Sequence, residues 1–298
     1  LIKSSNIGVA KISIAAGPKM LYEYLKKFGI GERTGIELPA ETRGILRRQE
    51  CDGKADRNCW DAASHEYIAF GHEVAATGVQ LARAVCVIAN GGLLVQPHLV
   101  VKKTRPREDG KLETVPVDFA APKRVIKPET TFTIRRIMER VILEGTGRRA
   151  AVPGYSSGGK TGSAEINENG VWLKHLHNSA FIGFAPVINP RVVVVVTLNR
   201  TPKQGGIAAA PVFSKVVQTA LRVLQVPKDR PDTDEGPKKP LLLETNELPE
   251  NRIAQVAPAP AAPPAPVLPP APSPLLFGPK VPDFRGKAVL AVLRESAA

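Results

Sequence analysis

Apolar residues recur at helical spacing from Asn6 to Ala16 and again from Pro18 to Phe28, with a break at Gly17-Pro18 and a stop at Gly29. The following "TGIELPAETRGIL" alternates and turns, which predicts a short strand-and-loop segment. Residues Arg43 to Glu73 are polar and irregular. A strong helical pattern returns in "TGVQLARAVCVIANGG" and is closed by Asn90-Gly91-Gly92. "LLVQPHLVVKK" reads as extended. "KPETTFTIRRIMERVILEG" reads as a helix, with Pro128 at an early position, an acid in the first turn and Gly145 after the end.

From Ser157 the pattern changes. "GGKTGSAEI", "SAFIGFAPV" and "RVVVVVTLN" are three predicted strands, joined by turn signals at Asn167–Gly170 and Ile188–Pro190. Such short connections favour antiparallel neighbours, because a parallel crossover needs a dozen or more residues. A last helix, "APVFSKVVQTALRVL", ends near Leu224. The expected fold class is α/β of the α+β type: helices, a short antiparallel sheet, then a helix packed against it.

Beyond Val226 the composition shifts to "PKDRPDTDEGPKKP" and "APAPAAPPAPVLPPAPSP", which cannot form helix or sheet interiors. Three segments are therefore expected: a globular domain over 1–225, a proline-rich linker over 226–279, and the start of another module over 280–298. Of the 298 residues, 43% are hydrophobic, enough for a real core. The net charge of +13 raises a nucleic-acid reading, but aromatics are only 5% and no zinc-ligand spacing occurs. A basic surface facing an anionic neighbourhood, and no nucleic-acid partner, is the preferred reading. No apolar run approaches the roughly 20 residues that span a bilayer. Leu1 is not an initiator Met, so the chain is expected to start within a longer protein.

Chemistry concentrates in "GYSSGGKTGSAEI", Gly154 to Ile166, which fits three patterns. Gly154-x-x-x-x-Gly159-Lys160-Thr161 spells a phosphate loop. Such a loop needs a buried strand before it and a helix directly after. Here "GRRAAVPG" precedes and a turn soon follows, and the Val192–Leu198 run ends in Asn199 rather than an Asp for magnesium. Ser157-x-x-Lys160 spells an acylating serine with its lysine, but two glycines heading into a strand disfavour the helical turn that pair requires. The third pattern is Lys160-Thr161-Gly162 on a strand bordering a cleft. Alternation sends Lys160 and Gly162 to one face and Thr161 to the other, while twist at an edge lets both side chains border a ligand. Gly162 leaves the strand bare for an extended substrate.

With Ser4-Ser5-Asn6 as a Ser-x-Asn element and Lys160-Thr161-Gly162 as the third, the chain resembles the transpeptidase domain of class B penicillin-binding proteins. The longer stretches "GPKMLYEYLKKFGIGERTGIELPAETRG", "GTGRRAAVPGYSSGGKTGSAE" and "IAAAPVFSKVV" carry the same resemblance, which covers Leu1 to about Leu224. The final "VPDFRGKAVLAVLRESAA" looks like the opening of a PASTA module. The family's first motif, with the nucleophilic serine, lies upstream of Ser-x-Asn, so no nucleophile is expected in this chain and the fragment alone is expected to be inactive. Thr77-Gly78, where many relatives carry Thr-Pro, is a smaller departure.

The resemblance implies a peptidoglycan D,D-transpeptidase that acylates on D-Ala-D-Ala stem peptides and is a target of β-lactam antibiotics. It implies membrane anchoring on the extracytoplasmic side and a cell-wall synthesis complex with a glycosyltransferase partner. No cofactor or metal is implied. Ser4 would relay a proton between the upstream lysine and Lys160. Asn6 would orient the peptide, although its position also suits a helix N-cap. Lys160 would supply positive potential, and the hydroxyls of Thr161 and Ser163 beside Gly162 would take the terminal carboxylate. A serine β-lactamase or D,D-carboxypeptidase, or a non-catalytic penicillin-sensing module, are alternative readings. His175 and His177 lack further metal-ligand spacing and read as surface residues. Trp60 and Trp172 suit either the cleft or its rim, and Cys51 and Cys59 either a loop disulfide or free thiols.

Overall fold

The computed structural model describes residues 1–50, 58–168 and 170–230. The chain divides into two units, Leu1–Pro240 and Leu241–Ala298. The second unit, and with it the PASTA-like segment and most of the expected linker, lies outside the described residues.

The first helices follow the apolar spacing closely: α1 (Asn6–Ala16) and α2 (Pro18–Lys27) meet at Gly17, and Pro18 opens the second. β1 (Ile45–Leu46) pairs antiparallel with β2 (Val74–Ala75). Between them, α3 (Ser64–Ala69) occupies a stretch that reads as irregular in the sequence. Too short to register a period, it is set by Asp61, which accepts from the Ala63 N–H at 2.9 Å and the Ser64 hydroxyl at 3.1 Å.

α4 (Gly78–Ala89) begins with a capping box between Thr77 and Gln80. Gln80 is fully buried, and its Nε2 donates to the carbonyls of Glu32 and Arg43 at 2.7 and 2.9 Å. Arg83, also buried, donates to Gly29 O at 3.0 Å. One polar stripe of α4 thus fixes the loop after α2. Two small antiparallel pairs follow, β3 (Leu93–Leu94) with β6 (Lys123–Arg124), and the exposed hairpin of β4 (Lys103–Pro106) with β5 (Leu112–Val115). Next come α5 (Pro128–Glu144) and a 3-10 turn over Arg148–Ala150.

The principal sheet is antiparallel in the order β7 (Gly158–Glu168), β8 (Val171–Ala185), β9 (Val192–Thr201). The second half of its central strand is buried on both faces, and the period of two sends Phe181 to one face and Phe184 to the other. Phe181 packs with Phe213, Val217 and Leu221 of α6 (Gly205–Val223), while Phe184 on the other face packs with Val85 of α4 and Met138 of α5. Both rings are fully buried. They lie so close to β7 that a Cβ on Gly159 would stand 2.5 Å from Phe181. Glycine there lets the sheet and its aromatic layer close.

Two boundaries differ from the sequence reading. β8 starts at Val171 rather than Ser179, because the hairpin after Asn167 stays paired through a bulge at Glu165/Ile166. α6 starts at Gly205 rather than Ala210, since Pro211 sits inside the helix and not at its first turn. Past the expected boundary at 225 the chain stays bonded to the body. Tyr155 Oη donates to Val226 O at 2.7 Å, the Ser156 N–H donates to Asp229 at 2.7 Å, and Arg230 pairs with Glu139. Among the described residues, no helix is long and apolar enough to cross a membrane.

Candidate active site

Lys160 and Thr161 lie inside β7, at the edge of the principal sheet, and no helix follows them. That geometry excludes a phosphate loop. Ser157 is buried and leads into the same extended run, so Ser157-x-x-Lys160 does not form a helical pair.

Across from β7, the turn before α1 holds Ser4 at φ 53°, in the left-handed region that non-glycine residues rarely occupy. The Ser4 N–H closes the turn on Leu1 O at 3.1 Å. The Lys3 ammonium anchors it to the carbonyl of Glu144, at the end of α5, at 3.2 Å. So held, the Ser4 hydroxyl accepts a hydrogen bond from Lys160 Nζ at 2.6 Å, between residues 156 positions apart.

Lys160 also donates to Thr161 O at 2.8 Å and approaches Thr161 Oγ1 at 3.4 Å. Burial disfavours its charged form and lowers its pKa below the ordinary lysine value. Although alternation separates Lys160 from Thr161, the lysine tip curls over the strand edge to meet its neighbour. Ser163 Oγ, exposed on β7, accepts from the N–H of Gly205, the first residue of α6, at 2.9 Å. A hydroxyl that accepts from a backbone N–H keeps its own proton for an incoming acceptor. Gly162 carries no side chain, and a Cβ there would meet only the Ala180 Cβ, at 3.5 Å. The result is a strip of one ammonium and several hydroxyls suited to an anionic, extended ligand.

Asn6 is not the helix N-cap. Ser5 takes that place, with extended dihedrals and its Oγ accepting from the Gly8 N–H at 3.1 Å, because Asn6 itself is already helical. The Asn6 side chain is exposed and makes no hydrogen bond among the described residues. Trp60 packs edge-on against Tyr22, with ring centroids 5.5 Å apart, and half-exposed Trp172 leans on His72. His175 is exposed, whereas His177 is half-buried with its Nδ1 enclosed. Among the described residues, no group of three His, Cys, Asp or Glu side chains gathers to hold a metal ion. Cys86 is a free thiol whose pKa burial raises, and Cys51 lies outside the described residues.

Thr146 and Gly205 are the site neighbours that sequence reasoning misses. Thr146 Oγ1 lies 2.9 Å from Thr161 Oγ1. It sits within "GTGRRAAVPGYSSGGKTGSAE", but neither periodicity nor motif spelling gave it a role.

The sequence matches the family described as the penicillin binding protein transpeptidase domain over residues 1–218. Stage V sporulation protein D of Bacillus subtilis is 36% identical over 233 residues, covering 75% of this chain and 33% of that protein. The probable peptidoglycan D,D-transpeptidase PenA of Neisseria flavescens is 34% identical, covering 77% of this chain and 53% of that protein. The chain therefore spans only about a third to a half of the length of these two curated relatives. Among solved structures, penicillin binding protein 3 of Mycobacterium tuberculosis complexed with ampicillin aligns with a TM-score of 0.65 at 31% identity, over 79% of this chain and 52% of that one. The same protein complexed with aztreonam aligns with a TM-score of 0.65 at 30% identity, over 78% and 52%.

Proposed function

The chain belongs to the penicillin binding protein transpeptidase family, and on that premise we propose that it forms the Ser4–Lys160 half of a peptidoglycan D,D-transpeptidase centre in its parent polypeptide. The observation that carries this reading is the 2.6 Å bond from Lys160 Nζ to Ser4 Oγ. The nucleophilic serine comes from outside residues 1–298. Its oxygen attacks the carbonyl of the penultimate D-alanine as its proton passes to the upstream lysine of the same motif, and the tetrahedral intermediate expels terminal D-alanine as the C–N bond breaks. An amine of a neighbouring stem peptide then takes the acyl group and frees the serine.

The departing amine needs a proton. An ammonium can only donate, so Lys160 leaves the Ser4 proton free to move toward the leaving group and stands ready to replace it. Burial makes that release easier by depressing the lysine pKa. The substrate's terminal carboxylate lies along Thr161, Gly162 and Ser163, accepting hydrogen bonds from the two hydroxyls. The Ser163 N–H serves the developing oxyanion, and Asn6 offers its uncommitted amide to the peptide backbone. β-Lactams enter the same strip through their own carboxylate.

The same reading extends to the whole parent. Residues 1–225 contribute to the transpeptidase domain, 226–279 form a spacer, and 280–298 open a PASTA module. The parent is anchored on the outer face of the membrane and works with a glycosyltransferase that supplies glycan strands. The net charge of +13 suits an anionic wall.

Labelling of the intact parent with a fluorescent penicillin tests the proposal. Lys160→Ala is expected to abolish the labelled band while circular dichroism shows an intact fold. Wild-type acylation rates in that variant would remove Lys160 from the mechanism.

A further inference from the structure

Thr161 Oγ1 has one proton to donate and receives attention from two neighbours. Lys160 Nζ, 3.4 Å away, can only donate to it, and Thr146 Oγ1 lies at 2.9 Å. If Thr161 gives its proton to a ligand carboxylate, then Thr146 must be the donor in the threonine pair. Ser163 shows the same arrangement, with its oxygen filled by the Gly205 N–H and its proton free.

Thr146 is itself tightly located. Its N–H donates to Ile2 O at 3.4 Å, within the segment that forms the Ser4 turn. A Cβ on Gly206, in the first turn of α6, would stand 2.6 Å from Thr146 O and 3.5 Å from Thr161 Cγ2. The connection after α5 is thereby wedged between the Ser4 turn, β7 and the start of α6.

Building on the transpeptidase reading above, we infer that Thr146 is a positioning residue: its hydroxyl donates to Thr161 Oγ1 and so turns the Thr161 proton toward the terminal carboxylate of the substrate. It touches no reacting atom. Its effect is confined to ligands that bring a carboxylate to Thr161.

The test compares acylation of the intact parent by benzylpenicillin and by its methyl ester, which lacks the anionic group. Thr146→Val is expected to lower the second-order rate with benzylpenicillin about tenfold, the order expected for a lost hydrogen bond feeding a charged one. The rate with the ester should change far less. Thr146→Ser should restore the acid's advantage, and Thr146→Val should add nothing in a Thr161→Val background. Should Thr146→Val not fold, Thr146→Ala carries the same comparison. An equal loss with acid and ester, or failure of Thr146→Ser to rescue, would overturn the positioning role. A wild-type parent that reacts with neither compound would instead overturn the transpeptidase reading, and this inference with it.

Discussion

Ser4 occupies a backbone conformation that costs an L-residue roughly 1–2 kcal/mol, and its hydroxyl faces Lys160 from there. A glycine would relieve the strain without supplying the hydroxyl. Ser4→Gly is therefore expected to be more stable than Ser4→Ala by about 1 kcal/mol in urea unfolding, while both lose penicillin labelling in the parent. An alanine variant as stable as the glycine variant would show that the turn carries no strain. At this scale the sequence was legible only through spelling. Ser4, Lys160 and Thr161 stand in recognisable motifs, and nothing in composition or period marks them. Thr146 shows the limit. A side-chain bond between residues on separate elements leaves no periodic trace, and one threonine between two glycines spells no chemistry. Asn6 shows a different limit: its type suits both a substrate contact and a cap, and the cap alternative falls to its neighbour Ser5.

β7 and α6 are the elements that make the strip usable. A Cβ on Gly205 would stand 2.3 Å from both Gly162 O and Ala180 O, so the helix begins in direct contact with the two strands beneath it. Gly205→Ala would gain up to about 1 kcal/mol of helix propensity. Overpacking against two fixed carbonyls costs about 1–3 kcal/mol, and the clash should win. We expect a Tm lowered by a few degrees, together with weaker penicillin acylation because the Gly205 N–H no longer reaches Ser163. An unchanged Tm would mean that the helix start moves aside freely. The same glycines explain why the sequence placed this helix too late. Gly205-Gly206 reads as a loop, and Pro211 looks like a first-turn proline, so packing rather than propensity sets the true start. By contrast α1, α2, α4 and α5 stand where their apolar spacing put them, because each pattern is long or has clear stop signals. α3 is too short to carry a period.

At the largest scale described, the run that follows α6 is tied back onto the body before it. Asp229 accepts from the N–H and the hydroxyl of Ser156, and that hydroxyl accepts from the Val187 N–H at 2.8 Å, linking the chain after α6 to the segment that enters β7 and to the turn that follows β8. Ser156 is buried, so removing its partner leaves polar groups unsatisfied. Asp229→Ala is expected to cost about 1–3 kcal/mol and to move the first limited-proteolysis cut toward Val226. A cut position shared with wild type would show the tie to be dispensable. Nothing in the sequence pointed to this tie, since the residues after Val226 read as spacer by composition alone.

The bond from Lys160 to Ser4 closes a span of 156 positions. In the proposed centre neither partner of this bond suffices alone. A product cut short before the lysine would lose most of β7 and the ammonium together. Separation of the Ser4 turn from β7 would part the pair, so the proposed relay depends on the scaffold that spans residues 4 to 160 as well as on its nearest residues.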